Sequence, residues 1–187
     1  MKNNSILINQ IFPLRGTLSY IRNIILIVFG SLLLAISSKL QVPFWPVPMT
    51  MQTFVVFLIG MTYGMRLSFI TLLAYILEGA LGFPVFATGS GLAYLIGPTA
   101  GFIYGMLIAA TLIGFLSERG FSKSYFKCLF TLLIGTALIF LLGVCYLGSI
   151  VGYEKAITLG LKPFIYSELF KIALAVALIP TISKYIK

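Results

Sequence analysis

The chain has 187 residues, of which 60% are hydrophobic and only 9% are charged. A soluble domain is usually about 25% charged, so this composition excludes a soluble enzyme, a disordered segment and a disulfide-stabilised secreted domain. The net charge of +9 comes from 13 basic and 4 acidic residues. Because the basic residues are spread between apolar runs and form no single stripe, a nucleic-acid-binding surface is excluded as well.

Six apolar runs are long enough, or nearly long enough, to cross a bilayer as helices. Such a helix needs about 20 residues, or about 17 at the shortest. The predicted spans are residues 24–38, 51–63, 67–81, 100–117, 129–151 and 164–182. The second run is short, so a re-entrant or tilted helix remains open there. We expect an all-α integral membrane protein, with residues 23–187 as one six-helix membrane domain.

Residues 1–22 are predicted to form a cytoplasmic N-terminal tail. Asn, Gln, Pro and Arg interrupt any apolar core that a cleavable signal peptide would need. The tail is either solvated or an amphipathic segment lying on the membrane surface. In the amphipathic case, Ile6, Leu7, Ile11, Phe12 and Leu14 would oppose Lys2 and Arg15.

The basic residues predict the orientation of the chain, because short cytoplasmic loops carry an excess of Lys and Arg. With the N-terminus inside, six spans also place the C-terminus inside. Nine basic residues then lie on the cytoplasmic side: Lys2, Arg15, Arg22, Arg66, Arg119, Lys123, Lys127, Lys184 and Lys187. Three lie outside, namely Lys39, Lys155 and Lys162, and Lys171 falls within the last span.

Two connections on the outer side are unusual, because they are apolar and rich in Pro, Gly and aromatic residues. They cover residues 39–50 and 82–99. Prolines 43, 46 and 48 prevent a continuous helix in the first of them. An apolar, irregular segment at the membrane surface is expected to fold back over protein. We therefore expect two extracellular loops that cap a ligand pocket open to the outside.

Three ionisable residues, Glu78, Glu168 and Lys171, fall inside predicted spans, where a charge is costly and usually functional. At 1.5 Å per residue, all three lie in the outer half of the membrane, beneath the two loops. Glu168 and Lys171 share one helix face at i, i+3. They form either a self-neutralising ion pair or part of a polar ligand site. The second case implies a small ligand with a carboxylate, N–H donors and an apolar middle.

Several kinds of chemistry are excluded by the residues that are missing. The chain has no His and no Asp, and only four Glu and two Cys. We therefore expect no metal site, no cofactor and no catalytic residue. There is no GxxxxGK[ST] motif, so any use of ATP must come from partner proteins.

Four segments in fixed order carry a resemblance to a known family. They are PVPMTMQT at 46–53, EGALGFPVFA at 78–87, GPTAGF at 97–102, and PF at 163–164 followed by Glu168-x-x-Lys171. From about residue 24 to the C-terminus, the chain resembles the BioY family. These proteins are the biotin-specific substrate-binding (S) components of energy-coupling-factor (ECF) vitamin transporters.

The resemblance implies a multi-pass protein of the bacterial cell (inner) membrane, surrounded by lipid, that takes up biotin. Its partners would be a transmembrane coupling protein and two cytoplasmic ATPases, although some members of the family occur without them. Lys171 is assigned to the biotin carboxylate, Glu168 to a urea N–H, and Glu78 or Gln52 to the rest of the urea. The other expected ligand-binding residues are Trp45, Phe86, Ser90 and Tyr146. Ser31 and Ala35 are candidates for docking on the coupling protein, although packing within the chain is the other explanation for them.

The chain departs from the family pattern at two places that concern the ligand. Family members usually carry Asp where this chain has Glu168, and some have an Arg in the second outer loop, where this chain has none between Arg66 and Arg119. Two other functions stay open. One is an S component for thiamine or riboflavin, and the other is an intramembrane lipid-modifying enzyme.

Overall fold

Helices dominate the computed structural model, which describes residues 6–11, 16–43 and 45–185. In this part of the chain the helices are α1 (Leu7–Ile11), α2 (Thr17–Lys39), α3 (Gln52–Tyr63), α4 (Met65–Ala80), α5 (Ala100–Ser117), α6 (Tyr125–Val151), α7 (Tyr153–Gly160) and α8 (Phe164–Tyr185). Two strands, β1 (Gln41–Val42) and β2 (Met49–Thr50), pair antiparallel between α2 and α3. Short 3₁₀ turns cover Leu92–Ile96 and Phe121–Lys123.

Each of the six predicted runs corresponds to a helix, but not all of these helices have the length of a full span. Helices α2, α5, α6 and α8 are long and apolar enough to cross a membrane. Helix α3 has 12 residues and α4 has 16, which gives about 18 and 24 Å at 1.5 Å per residue. Both are shorter than the ~30 Å hydrocarbon core. The short second run in the sequence is thus reproduced as a short helix.

Helices α3 and α4 are joined by the single residue Gly64, and this corner packs directly against α5. Gly64 has a φ of +79°, a conformation that favours glycine. A Cβ on Gly114 of α5 would lie 2.6 Å from the Gly64 carbonyl carbon. Glu118, which follows α5, accepts a hydrogen bond from the backbone N–H of Met65 at 2.9 Å. Small residues therefore allow α5 to approach the corner closely.

Helix α5 lies at the centre of the bundle, where it packs against α3, α4 and α6. Its contacts are made through glycine and alanine. Ala109 and Ala110 are fully buried. A Cβ on Gly105 would lie 2.9 Å from the Cα of Ile139 in α6. This tight packing leaves the larger side chains to surround the space between α3, α5, α6 and α8.

The N-terminal segment packs into the bundle where it is described. Ile6, Leu7 and Ile8 are 6%, 1% and 7% exposed, and α1 packs against α3. Ile6 lies against the glycine corner at Gly64. That residues 1–22 form a cytoplasmic tail stays a prediction. Helix α2 begins at Thr17, before the predicted boundary at residue 22. Lys2, Phe12, Leu14 and Arg15 lie outside the described residues.

Five of the basic residues lie at one end of the bundle. Lys184 near the end of α8 lies over the ring of Tyr125 at the start of α6, 4.5 Å from its centroid. Glu118 after α5 reaches the start of α4. The helix ends that carry Arg66, Arg119, Lys123, Lys127 and Lys184 therefore meet on one side. Lys39 is at the opposite end, beside the loop that follows α4.

Candidate functional site

The loop that follows α4 is hydrogen-bonded at both of its ends to one residue of that helix. The backbone N–H groups of Gly82 and Gly91 both donate to the Gly79 carbonyl, at 3.1 and 2.7 Å. Gly82 and Gly91 also have positive φ values, +97° and +82°. The segment between them, residues 83–90, projects as a loop from a narrow base. We call it the Phe86 loop.

Phe86 turns back from this loop into the bundle and is 1% exposed. Its ring lies edge-on to Tyr75 at 5.5 Å and is stacked on Tyr94 at 4.8 Å. A Cβ on Gly79 would lie 2.0 Å from the Phe86 ring. The absence of a side chain at Gly79 therefore makes room for the ring of Phe86.

The end of α2 and the strand after it bind the Phe86 loop through three side chains. Ser38 donates to the carbonyl of Val85 at 2.7 Å. Lys39 donates to the carbonyl of Phe86, and Gln41 donates to that of Ala87 at 3.3 Å. Three consecutive loop carbonyls thus accept hydrogen bonds from one short segment. We call these three bonds the clasp.

A cavity that is partly open to solvent lies between residues 47–50, the loop after α4 and helices α3, α5, α6 and α8; its space, counting the open part, is about 530 Å³. Six aromatic side chains form much of its wall: Tyr75, Phe86, Tyr94, Phe102, Phe140 and Phe164. Its polar lining residues are Thr50, Gln52, Thr53, Thr99, Glu168 and Lys171. A mostly apolar wall with a few polar groups is typical of sites for small molecules.

Glu168 and Lys171 form a buried ion pair in this cavity. The Lys171 Nζ lies 2.7 Å from the Glu168 Oε1, and the side chains of Lys171 and Glu168 are 4% and 5% exposed. Thr53 completes a triangle, since its hydroxyl donates to Glu168 Oε1 at 2.9 Å and accepts from Lys171 at 3.1 Å. Lys171 also donates to the Thr50 carbonyl at 2.6 Å.

The triangle leaves one polar atom available. An ammonium group has three protons, and those of Lys171 match its three acceptors on Thr50, Thr53 and Glu168. The other carboxylate oxygen of Glu168, Oε2, is buried and has no hydrogen-bond partner among the residues that the structure describes. A buried acceptor without a hydrogen bond raises the free energy of the folded protein. This oxygen can accept an N–H from a ligand in the cavity.

Gln52 is also in the lining, and it connects the two outer loops. Its Nε2 donates to the Tyr75 hydroxyl at 2.7 Å, and the Tyr75 hydroxyl donates to the Val85 carbonyl at 3.0 Å. Its Oε1 accepts from Thr50 at 3.2 Å. The amide is therefore fixed in place at the edge of the cavity.

The structure brings together Lys171, Glu168, Gln52 and Phe86, four of the eight ligand residues expected from the sequence. The other four lie elsewhere. Glu78 accepts a hydrogen bond from Ser31 at 2.8 Å, between α4 and α2. Trp45 is 78% exposed, and Ser90 is also exposed. The Tyr146 hydroxyl donates to the Ile96 carbonyl at 3.1 Å.

Ser31 and Ala35, the candidates for docking, both face the bundle. Ser31 is 2% exposed and bonds to Glu78. Ala35 is half-buried and packs against the core. A partner would reach Ser31 only after α2 had moved away from α4, so the docking role stays a prediction.

Several lining residues were not singled out from the sequence. Thr50 and Thr53 lie in the PVPMTMQT segment on either side of Gln52, and a cluster of hydroxyl and amide groups at the start of an apolar run was the available signal. Tyr75, Phe102, Phe140 and Phe164 carried no such signal, because aromatic residues are common throughout these spans. Among the described residues, no group of three His, Cys, Asp or Glu side chains is placed to hold a metal ion.

Comparison with known proteins gives a consistent result. A model of the BioY family matches residues 5–187. A "Probable biotin transporter BioY" from Rickettsia prowazekii is 34% identical over 166 residues, which cover 88% of this chain and 85% of that protein. Another from Pyrococcus horikoshii is 39% identical over 145 residues, 77% of this chain and 85% of that protein.

The fold has a counterpart among solved structures. The crystal structure at 2.1 Å of the S component for biotin from an ECF-type ABC transporter superposes with a TM-score of 0.80. The two chains are 23% identical, and the match covers 91% of this chain and 95% of the other. The helical membrane fold expected from the sequence is thus that of an S component. With the family model matching nearly its whole length, the chain belongs to the BioY family.

Proposed function

We propose that this chain is a biotin-uptake protein of the bacterial cell membrane, acting as the substrate-binding S component of an ECF-type transporter. Its relatives are named biotin transporters, and the solved structure with the same fold is an S component for biotin. The observation that carries the proposal is the buried Glu168–Lys171 pair, with one unpartnered carboxylate oxygen, in a capped aromatic cavity.

Biotin offers groups that complement this cavity. Its cyclic urea has two N–H donors and one C=O acceptor, the sulfur-containing ring fused to it is apolar, and its side chain ends in a carboxylate. Glu168 Oε2 is the acceptor for one urea N–H. The aromatic wall, including Phe86 and Phe102, covers the rings. Gln52 lies close enough to Thr50 and Thr53 to complete the polar contacts of the urea.

Lys171 was expected to hold the biotin carboxylate, but its surroundings favour a different role. A ligand carboxylate would have to replace Glu168 at the ammonium group, and the buried site would then hold a net negative charge. A neutral urea leaves the charge of the ion pair balanced. One of its N–H groups also matches the acceptor that the pair leaves available, Glu168 Oε2. We therefore place the urea, rather than the carboxylate, at Glu168 and Lys171.

A comparison of two ligands and several variants tests this assignment. Biotin and its methyl ester share the urea but differ in the carboxylate. If the pair binds the urea, Glu168→Gln and Lys171→Met each weaken both ligands by about tenfold or more. A loss that is confined to biotin in Lys171→Met would instead place the carboxylate there. Glu154→Gln and Lys155→Met, both at exposed positions on α7, are the matched controls.

The choice among vitamins is decided by a binding panel of biotin, thiamine and riboflavin with the purified protein. We expect binding of biotin alone, because the site carries no surplus negative charge for the thiamine cation. Thiamine or riboflavin binding without biotin binding would overturn the proposal. A lipid-modifying enzyme is not supported, since the named relatives are transporters.

In the membrane, we propose that α2–α6 and α8 all cross, with both termini in the cytoplasm. The gathering of basic residues at one end of the bundle supports this orientation. The outer surface of α2 is apolar and suits lipid, with Ile24, Val28, Phe29, Leu32 and Ile36 each more than half exposed.

The partners that we propose are a transmembrane coupling protein and two cytoplasmic ATPases. The chain itself lacks a GxxxxGK[ST] motif for ATP. Biotin uptake in cells that lack their own biotin carrier, with and without genes for these partners, tests the requirement. Equal uptake in both cases would show that the chain transports alone.

A further inference from the structure

We propose that Lys39, together with Ser38 and Gln41, is a positioning residue that holds the Phe86 loop closed over the cavity, so that opening of this clasp sets how fast ligand enters and leaves. The inference rests on the proposed function for the identity of the ligand, biotin. The clasp itself is a property of the described side chains and can be tested without ligand.

The geometry of the loop makes it a movable unit. Its two ends are fixed by the Gly79 carbonyl, and the glycines at these ends have positive φ and open space on the side where a Cβ would lie. Between these ends, its carbonyls at Val85, Phe86 and Ala87 are bound by side chains from other segments. Release of those bonds, together with the Tyr75–Val85 bond, leaves the narrow base at Gly79 as a hinge.

The clasp acts on the cavity through Phe86. The Lys39 ammonium group binds the carbonyl of the same residue whose ring lines the cavity. When that carbonyl is released and the loop swings out, the ring leaves the space between Tyr75 and Tyr94. The cavity then opens on the side that faces the outer surface.

The clasp also connects the loop to the ion pair. Gln41 of β1 pairs with Thr50 of β2, and the Thr50 carbonyl accepts a hydrogen bond from Lys171. The ladder therefore places Thr50, which binds Lys171, opposite Gln41, which binds Ala87 of the loop. A ligand that contacts Lys171 stabilises the same segment that holds the loop.

Lys39 is the member of the clasp suited to reversible opening. Ser38 is fully buried, whereas Lys39 is exposed, so its ammonium group can exchange the loop carbonyl for water at low cost. It is also the charged donor of the three, and charged donors make the stronger hydrogen bonds. Its removal is thus expected to loosen the loop without unfolding the bundle.

The test is Lys39→Met, which keeps the apolar stem but removes the donor. Lys155→Met, at an exposed position on the same side, is the control for the loss of a positive charge that attracts an anionic ligand. Relative to this control, we expect biotin to associate and dissociate about 5-fold faster, with little change in Kd. Stopped-flow or surface-based binding kinetics measures both rates. Unchanged rates would overturn the gating role.

Hydrogen–deuterium exchange of the ligand-free protein separates the clasp from the ligand. In Lys39→Met, amides of residues 83–90 are expected to exchange about 5-fold faster, whereas those of α5 stay protected. If the loop exchanges faster in Lys39→Met but the protein binds no biotin, the proposed ligand is wrong and the clasp is supported. Equal exchange in the loops of Lys39→Met and Lys155→Met would overturn the clasp. Thermal unfolding close to that of the unchanged protein confirms that the bundle is intact.

Discussion

Lys171 donates a hydrogen bond to Glu168 Oε1 at 2.7 Å, while the second oxygen of that carboxylate is buried without a partner in the described part of the chain. The pair arises from i, i+3 spacing on α8, but α3 supplies what fixes it, because Thr53 bonds to both charges. One helix therefore brings the charges into the membrane, and another orients them. What remains available is a single acceptor.

Removal of one member of this pair is expected to destabilise the protein more than removal of both. Lys171→Met leaves the Glu168 carboxylate buried without its counterion, which typically costs about 3–5 kcal/mol. The double variant Glu168→Leu/Lys171→Met leaves no buried charge and should recover much of that loss. Thermal unfolding in detergent measures the difference. A double variant less stable than Lys171→Met would show that the pair contributes net stability.

Gly79→Ala is expected to prevent closure of the Phe86 loop. The added Cβ would lie 2.0 Å from the Phe86 ring, so the ring must leave its place between Tyr75 and Tyr94. We expect biotin affinity to fall at least tenfold, as measured by calorimetry. Gly97→Ala is the matched control, because Gly97 has a φ of −81° and its added Cβ would meet nothing closer than 3.4 Å. Equal affinities for the two variants would contradict this role of Gly79.

Much of the fold follows from the sequence, because hydropathy and helix length are local properties. The predicted run 100–117 coincides with α5, and the run 164–182 begins where α8 begins. Helix α7 was missed because it is an eight-residue segment in a polar connection. The contact of Ile6 with the glycine corner at Gly64 could not be read from the sequence, because it is a tertiary feature.

The site was predictable where a residue's chemistry is unusual in a membrane. Glu168 and Lys171 stand out as charges in an apolar run, and the structure places both in the cavity. Glu78 stands out for the same reason, yet it faces α2 and bonds to Ser31. Depth along the helix was a poor guide here, because rotation about the helix axis decides which neighbour a side chain meets. Thr53 has an ordinary chemistry for a helix and gains its role only from the position of α8.

Thr53→Val is expected to weaken biotin binding while the fold is retained. Valine has nearly the same shape, but it lacks the hydroxyl that donates to Glu168 and accepts from Lys171. With the orientation of the pair loosened, we expect a loss of about 1–3 kcal/mol in binding free energy. The control is Thr62→Val on the same helix, where the hydroxyl donates to the Leu58 carbonyl of its own turn. A loss of the same size in the control would indicate a general effect on α3.

Glu78→Gln is expected to leave biotin binding within about twofold of the unchanged protein. Its carboxylate lies between α4 and α2, bonded to Ser31, and it is not part of the cavity lining. Glutamine keeps an oxygen acceptor for the Ser31 hydroxyl, so the packing of the two helices is preserved. Calorimetric titration with biotin measures the affinity, and Glu168→Gln, which changes the acceptor inside the cavity, serves as the contrasting variant. If Glu78→Gln lost affinity as strongly as Glu168→Gln, Glu78 would have to be a ligand residue. Helix α4 would then have to rotate on binding to bring its carboxylate to the urea.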